Sequence, residues 1–412
     1  MDDQPKLEEN DHRRLGQELD LFVTSDLVGS GLPMLTPRGT VLREELTKYS
    51  NELREKRGFS KVWTPHLTKT DLYKTSGHWD KFGAELFLVK SQETSDQLVL
   101  KPMNCPHHIQ IYASRPRSYR ELPLKLLETA TVYRDEKSGE LQGLARVRSL
   151  SIDDCHVFSR QDQIEQVAKE LIEAAQELYK TIGMNLKFRL SFKDEADGYL
   201  GSPELWDKAQ TTLEKIAKEE KLDYHLEPGD AAFYGPKIDF LASDVLGRTW
   251  QVATVQLDFV MPERFELSYT DEQGQEARPV MIHCALLGSV ERFLAVYIEH
   301  TSGKFPVWLA PEQVRIATLN DEDNILEFAK NVVEKAKEAG VRVTLDDSNE
   351  SVAKKIREVE VMKVPYTIVI GAKEVESGQV TPRLRSDLGS EEKSYPVDEF
   401  IGKVSRDAKA HK

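Results

Sequence analysis

Residues 126–158, LLETATVYRDEKSGELQGLARVRSLSIDDCHVF, decide the fold. Apolar and β-branched residues fill LLETATVY and return in LARVRSLSIDDCHVF. Between them KSGELQG holds the glycine, serine and charged residues of a turn. A strand, a loop and a returning strand are predicted, that is, a β-hairpin. Arg134, Glu136, Arg146 and Arg148 stand around its loop and His156 near its end, so the element that sets the fold also carries titratable and basic groups.

Working outward, TVLREELTKYSNELREKRGFSKVWTPHL (40–67) places Leu42, Leu46, Tyr49 and Leu53 at helical spacing. Gly58 ends that helix before a strand that stops near Pro65. LFLVK (86–90) and LVLK (98–101) read as two short strands. Beyond the hairpin, residues 162–182 form an amphipathic helix with Ile164, Val167, Leu171 and Leu178 on one side, and a second helix covers about 203–221. Further strands are predicted in AAFYGPKIDFLA (231–242), RTWQVATVQLDF (248–259) and PVMIH (279–283). The result is an α+β domain, mostly an antiparallel sheet with flanking helices.

In SGKFPVWLAPEQ (302–313), Pro306 and Pro311 interrupt any helix, and the pattern then changes. VRIATL (314–319), VRVTL (341–345) and VPYTIVIG (364–371) alternate with helical stretches over 324–339 and 350–362, which predicts a small α/β domain with parallel strands. The expected division is a charged extension over 1–10, a first domain over 11–305, a linker over 306–313 and a second domain over 314–412. A chain of 412 residues is long enough for two domains. No apolar run approaches the ~18–20 residues of a membrane span, and the opening MDDQPKLEENDHRRLG lacks the apolar core of a signal peptide. Three widely spaced cysteines do not make a disulfide framework, which points to a reducing cytoplasm. The net charge of −14 argues against indiscriminate nucleic-acid binding, though not against a local basic groove.

Cys105 lies in KPMNCPHH (101–108), His156 ends the hairpin's IDDCH run, and His283 opens HCALLGSVERF (283–293). One thiolate and two imidazoles suit zinc, and three protein ligands leave a position for substrate. Their spacing lacks the short pairs of a zinc finger, so from the residues alone both a metal site and ordinary packing stay open.

The order TPHL, VYRDE…RVR, GSVERF resembles the three signature motifs of class II aminoacyl-tRNA synthetases. KPMNCP, GHWD, DDCHVF, AFYGPKIDF, TWQVATVQLDF and VMIHCALLGSVERF are similar to the threonyl-tRNA synthetase family in particular, and WLAP, KKIRE, VPYTIVIG and KEVESG to its anticodon-binding domain. The resemblance runs from Asp11 to near the end of the chain. It implies a class II catalytic domain followed by an anticodon-binding domain, and an enzyme that activates L-threonine with ATP and transfers it to the 3′ end of tRNA(Thr). It further implies a homodimer built through the segment ending in TPHL, one zinc ion per subunit on Cys105, His156 and His283, and magnesium with ATP.

Residue by residue, the resemblance implies that Arg134 grips the α-phosphate and the attacking carboxylate, and that Glu136 accepts from the adenine amino group. Arg146 and Arg292 hold the outer phosphates, and Lys237, Gln251 and Ser289 line the nucleotide site. Asp154 takes the threonine hydroxyl proton and Tyr234 holds the amino group. Ile152 stands in the amino-acid pocket where family members commonly carry the glutamine of TQDDAH, and it cannot make glutamine's hydrogen bonds. Cys155 stands where that run has alanine and is expected to face away from His156 on the strand. Asn349, Arg357, Glu374 and Arg383 match positions used near the anticodon. His107, His108 and His300 receive no role. Bacterial members usually carry an N-terminal editing module; the expectation is that this chain lacks it, by truncation or by nature, and forms Ser-tRNA(Thr) without clearing it.

Overall fold

A computed structural model describes residues 8–244, 247–389 and 393–412. Residues 1–7 of the expected N-terminal extension lie outside the described residues. Two compact units are present: one of Ser25–Leu32 with Thr47–Val296, the other of the described residues up to Thr24 with Pro33–Leu46 and Tyr297–Lys412.

The periodic apolar residues of the first long helix, α1 (Pro37–Glu55), are buried as their spacing demands: Leu42, Leu46, Tyr49 and Leu53 all face a core. The larger unit is built on an eight-stranded sheet of β1 (Ser60–Lys61), β2 (Leu124–Tyr133), β3 (Ser149–Ser159), β4 (Leu186–Phe192), β5 (Tyr224–Pro228), β6 (Lys237–Ser243), β7 (Thr249–Asp258) and β8 (Val280–Ser289), in the order β5-β4-β6-β7-β8-β3-β2-β1. The inner pairings are antiparallel, and only the outermost pair at each edge is parallel. The predicted hairpin is β2–β3, in continuous register from Leu124↔Phe158 to Tyr133↔Ser149. LARV belongs to the loop rather than to the second strand, because Val147 folds in against Val132 and Leu150.

β4 and β5 are absent from the predicted strands. In β4, Arg189 alternates with the buried Phe188 and Leu190 and joins Asp230 and Asp239 in an ionic cluster on the sheet, so a strand with one charged face hides behind its polar residues. Helix α2 (Cys105–Ala113) packs on β3, and the amphipathic helix α3 (Ile164–Thr181) on β7 and β8. Helix α4 (Pro203–Glu219) packs on β4 and β7, and α5 (Val290–Thr301) follows β8 directly.

Register sorts the chemistry onto two faces. His156 pairs with His283 and Cys155 with Cys284 across β3 and β8, and neighbouring residues on a strand point to opposite sides. The histidines therefore share one face and the cysteines the other, where they lie beside the buried Arg54 of α1.

In the smaller unit, β9 (Val314–Thr318), β10 (Val343–Asp346), β11 (Tyr366–Ile370) and β12 (Arg383–Leu384) form a sheet ordered β10-β9-β11-β12, parallel except for its last pair. Helices α6 (Asp323–Glu338), α7 (Val352–Val361), α8 (Ala372–Ser377) and α9 (Val397–Lys409) accompany it, and Ile316, Ala329, Ile368, Ile370 and Phe400 close its core. The Pro306–Pro311 stretch is packed rather than exposed. Val307, Trp308 and Leu309 are buried, and the Arg342 guanidinium donates to the Ala310 carbonyl at 2.9 Å and to that of Trp308. No described helix is long and apolar enough to cross a membrane.

Candidate active site

Alternate residues of β3, namely Ile152, Asp154 and His156, point to the same side of the sheet. His283 comes from the neighbouring β8, and both strands line a cavity of about 220 Å³. Arg134, Tyr234, Gln256, Ser289 and Arg292 complete much of its wall. Cys105 opens α2 with Pro106 behind it, a residue suited to a first helical turn because it has no N–H to leave unpaired.

The Cys105 sulfur and one nitrogen each of His156 and His283 lie within 4.8 Å of one another, and all three residues are buried. One nitrogen of each imidazole is held. His283 Nε2–H donates to Asp258 Oδ2 at 2.8 Å, and the other oxygen of Asp258 accepts from the backbone N–H groups of Val260 and Met261 at 2.7 and 2.9 Å. His156 Nδ1 meets His108 Nδ1 at 2.8 Å. Supported in this way, each ring keeps its remaining nitrogen for another partner. Burial pushes the Cys105 thiol and the Asp154 carboxyl up from their usual values. A divalent cation beside them reverses that tendency, since it favours both anions. A buried sulfur–nitrogen–nitrogen set with supported rings fits zinc.

Arg134 directly follows β2 and is turned inward. Its Nη2 lies 3.1 Å from Met103 Sδ, and its guanidinium sits 5.0 Å from the centre of the Phe82 ring. Burial lowers its pKa, and Glu136 and Glu85 oppose that. Arg292, at the start of α5, donates to the Ala145 carbonyl at 3.1 Å and is lowered by burial and by Arg146. It also lines an adjoining cavity of about 170 Å³ with Gln251 and Ser289. Glu136 and Arg146 pair with each other at 2.7 Å, and Arg146 reaches Glu140 at 2.6 Å.

The structure therefore gathers His156, His283, Asp154, Ile152, Tyr234, Arg134, Ser289 and Arg292 around one cavity, with Gln251 next door and Cys105 buried against the two histidines. Lys237 lines neither cavity; its ammonium pairs with Asp239 at 3.1 Å and Asp230 at 3.6 Å. Ile152 packs against the small cluster of Val132, Val147 and Leu150 and gives the cavity an apolar side.

Four residues were missed from sequence. His78 lies 3.6 Å from the Cys105 sulfur, His108 and Asp258 hold the two ligand-type imidazoles, and Gln256 accepts from the Tyr234 hydroxyl at 2.7 Å. Each sits inside a quoted run, in GHWD, KPMNCPHH or TWQVATVQLDF, but helix phase and strand register were needed to see what each touches.

Tyr234 depends on its neighbour. A Cβ at Gly235 would lie 2.0 Å from the Leu257 carbonyl oxygen, so only glycine lets this turn run beneath β7 and present Tyr234. Gly235→Ala is expected to destabilise by roughly 1–3 kcal/mol, as overpacking does, and to lower the melting temperature. An unchanged melting curve would contradict that close approach.

Comparison with known proteins bears on this geometry directly. The family described as tRNA synthetase class II core domain (G, H, P, S and T) matches residues 87–301, and the anticodon binding domain family matches residues 313–407. The crystal structure of the RNA binding domain of threonyl-tRNA synthetase from Cryptosporidium parvum superposes with a TM-score of 0.90 at 37% identity, covering 96% of this chain and 98% of that one. The chain belongs to the threonyl-tRNA synthetase family. Curated threonine–tRNA ligases from Deinococcus radiodurans and Gloeobacter violaceus are each 47% identical over 95% of this chain, which spans 60% and 63% of their lengths.

Within the stretch matched by the anticodon binding domain family, the four expected contact residues lie in the smaller unit. Asn349 and Arg357 are exposed. The Glu374 carboxylate accepts from the Gly371 N–H at 3.0 Å and so caps α8. Arg383 pairs with Glu360 at 3.0 Å beside a cavity of about 360 Å³ that Lys363 also lines.

Proposed function

We propose that this chain carries out threonine activation and transfer: the threonine carboxylate attacks the α-phosphate of ATP, pyrophosphate leaves, and the threonyl group passes to the 3′ end of tRNA(Thr). The observation that carries this reading is the buried Cys105–His156–His283 set, whose two histidines line a cavity together with Arg134 and Arg292. Positioning and charge stabilisation dominate such a reaction. Arg134 holds the α-phosphate and the carboxylate in its planar fork, while Arg146 and Arg292 take the outer phosphates. Glu136 receives the adenine amino group, and Gln251 and Ser289 shape the nucleotide pocket. Lys237 acts from the edge of that pocket, its charge shared with Asp239. Magnesium accompanies ATP.

Zinc bound to Cys105, His156 and His283 supplies a Lewis acid for the amino and hydroxyl groups of threonine. Asp154 accepts the hydroxyl proton, and Tyr234, oriented by Gln256, holds the amino group. A site that pairs the hydroxyl rejects valine by ~10⁴-fold or more, whereas serine differs by one methyl, worth roughly 1–3 kcal/mol. Asn349, Arg357, Glu374 and Arg383 supply donors and acceptors for unstacked anticodon bases. The domains divide as 11–305, 306–313 and 314–412. The enzyme works in the cytoplasm as a homodimer joined through the segment ending in TPHL, a reading supported by Trp63 in that segment, 76% exposed in the single chain.

ATP–pyrophosphate exchange tests the reading. Exchange is expected to be strong with threonine, weaker with serine, and about 10⁴-fold lower with valine. It is expected to disappear on chelation and return with zinc. A folded, zinc-loaded chain without threonine-dependent exchange contradicts it.

A further inference from the structure

Glu128 belongs to none of the roles assigned above, yet with His108 it completes an unbroken line of contacts to His156. Glu128 Oε2 lies 3.2 Å from His108 Nε2, and His108 Nδ1 lies 2.8 Å from His156 Nδ1. All three side chains are buried, and the two rings stand perpendicular with centroids 4.7 Å apart. His108 follows Cys105 by three residues on α2, so one helix face carries both a candidate ligand and the support of a second.

The protons along this line follow from what surrounds Glu128. Its Oε1 accepts from the Thr64 N–H at 2.7 Å. Its Oε2 accepts from the Thr64 hydroxyl at 3.0 Å and from Asn104 Nδ2 at 2.9 Å. The orientation of Asn104 is fixed in turn, because its Oδ1 faces the Lys101 ammonium at 3.0 Å, a group that can only donate. His108 Nε2 lies 3.1 Å from Asn104 Nδ2 as well, but that amide gives its shorter bond, 2.9 Å, to Glu128, and an ionised carboxylate only accepts, so the His108 nitrogen facing it is taken as Nε2–H. His108 Nδ1 then carries a lone pair, and His156 must offer Nδ1–H to it. That leaves the lone pair of His156 on Nε2, the nitrogen turned away from His108.

We propose that Glu128 and His108 are positioning residues: through two imidazoles in series, Glu128 sets the tautomer of His156 and keeps its Nε2 ready for the metal. The proposal rests on the zinc reading above. It differs from the arrangement at His283, where the supporting carboxylate of Asp258 touches the ring directly. Nothing is transferred along the line in the resting state; it fixes which nitrogens carry protons.

Zinc affinity of the full chain, measured by competition with a chromophoric chelator, tests the relay together with the visible spectrum of the cobalt-substituted protein. Glu128→Gln is the informative change. A neutral amide no longer holds the proton on His108 Nε2 as the anion does, and its NH₂, when turned to His108, reverses both tautomers and puts a proton on His156 Nε2. Zinc affinity is expected to fall about 10–100-fold, with a shifted cobalt spectrum. His108→Leu, which removes the acceptor, is expected to fall similarly. His108→Asn, whose side-chain oxygen still accepts from His156 Nδ1–H, is expected to stay within about threefold.

If Glu128→Gln does not fold, the Leu and Asn variants at position 108 still decide. Equal affinities and unchanged cobalt spectra for wild type and His108→Leu overturn the relay while the zinc reading stands. A wild-type chain that binds no zinc overturns both.

Discussion

Replacing Cys105 with alanine is expected to lower threonine-dependent ATP–pyrophosphate exchange by about 10³-fold or more, with loss of bound zinc. The size follows from what is removed: a preorganised charge in a water-excluded site, where even one lost hydrogen-bond donor costs roughly 10²–10³ in rate. Cys105 is fully buried at the start of α2, and His156 and His283 are anchored at one nitrogen each by neighbours that remain. Two imidazoles without the thiolate make a far poorer zinc site. The discrimination should change more tellingly than the rate. With the hydroxyl no longer paired, the cavity distinguishes threonine from valine only by shape, and the ratio is expected to collapse from ~10⁴ towards ~10² or less. A Cys105→Ala chain that melts like wild type and still separates the two amino acids by the full ratio contradicts the assignment.

Arg54→Met is expected to produce the largest loss of stability, about 3–5 kcal/mol, the usual cost of stripping one partner from a buried ion pair. Arg54 and Asp153 are fully buried and joined by a short ion pair. Asp153 also accepts from the Ser50 hydroxyl at 2.8 Å and from the N–H groups of Leu286 and Leu287 at 3.2 and 3.1 Å. It thereby ties α1 to β3 and β8 from behind the strands that carry His156 and His283. Although burial opposes it, Asp153 holds the Arg54 guanidinium firmly charged. Without Arg54, Asp153 remains as a buried anion with too few donors. For a unit of this size the melting midpoint should drop by roughly 10 °C. Adding Asp153→Asn, which keeps an oxygen for the Ser50 hydroxyl while removing the charge, should recover part of the loss. A midpoint within ~2 °C of wild type contradicts the importance of the pair.

The β2–β3 hairpin was legible because its strands are apolar and its loop is not, and the long helices because their stripes repeat at 3.6 residues. The metal set was legible only through resemblance. Cys105, His156 and His283 are far apart in sequence, and nothing in their spacing reveals that β3 pairs with β8 in the register His156↔His283. The same limit hid His108. Two adjacent histidines look equivalent in KPMNCPHH, but helix phase turns His108 onto His156, while both ring nitrogens of His107 are buried without a hydrogen-bond partner. Lys237 shows the converse: its type and position suit a nucleotide site, yet Asp230 and Asp239 claim its charge. Arg54 follows the apolar Leu53 on an amphipathic helix and would be read as solvated; only the tertiary structure supplies Asp153.

The most direct test of the account is X-ray absorption at the zinc edge of the purified chain, with and without threonine. The account predicts one zinc per chain with one sulfur and two imidazole nitrogens in its shell, and additional nitrogen or oxygen donors when threonine is added but not when valine is. Zinc with a different protein shell, or a spectrum that threonine leaves unchanged, would contradict it.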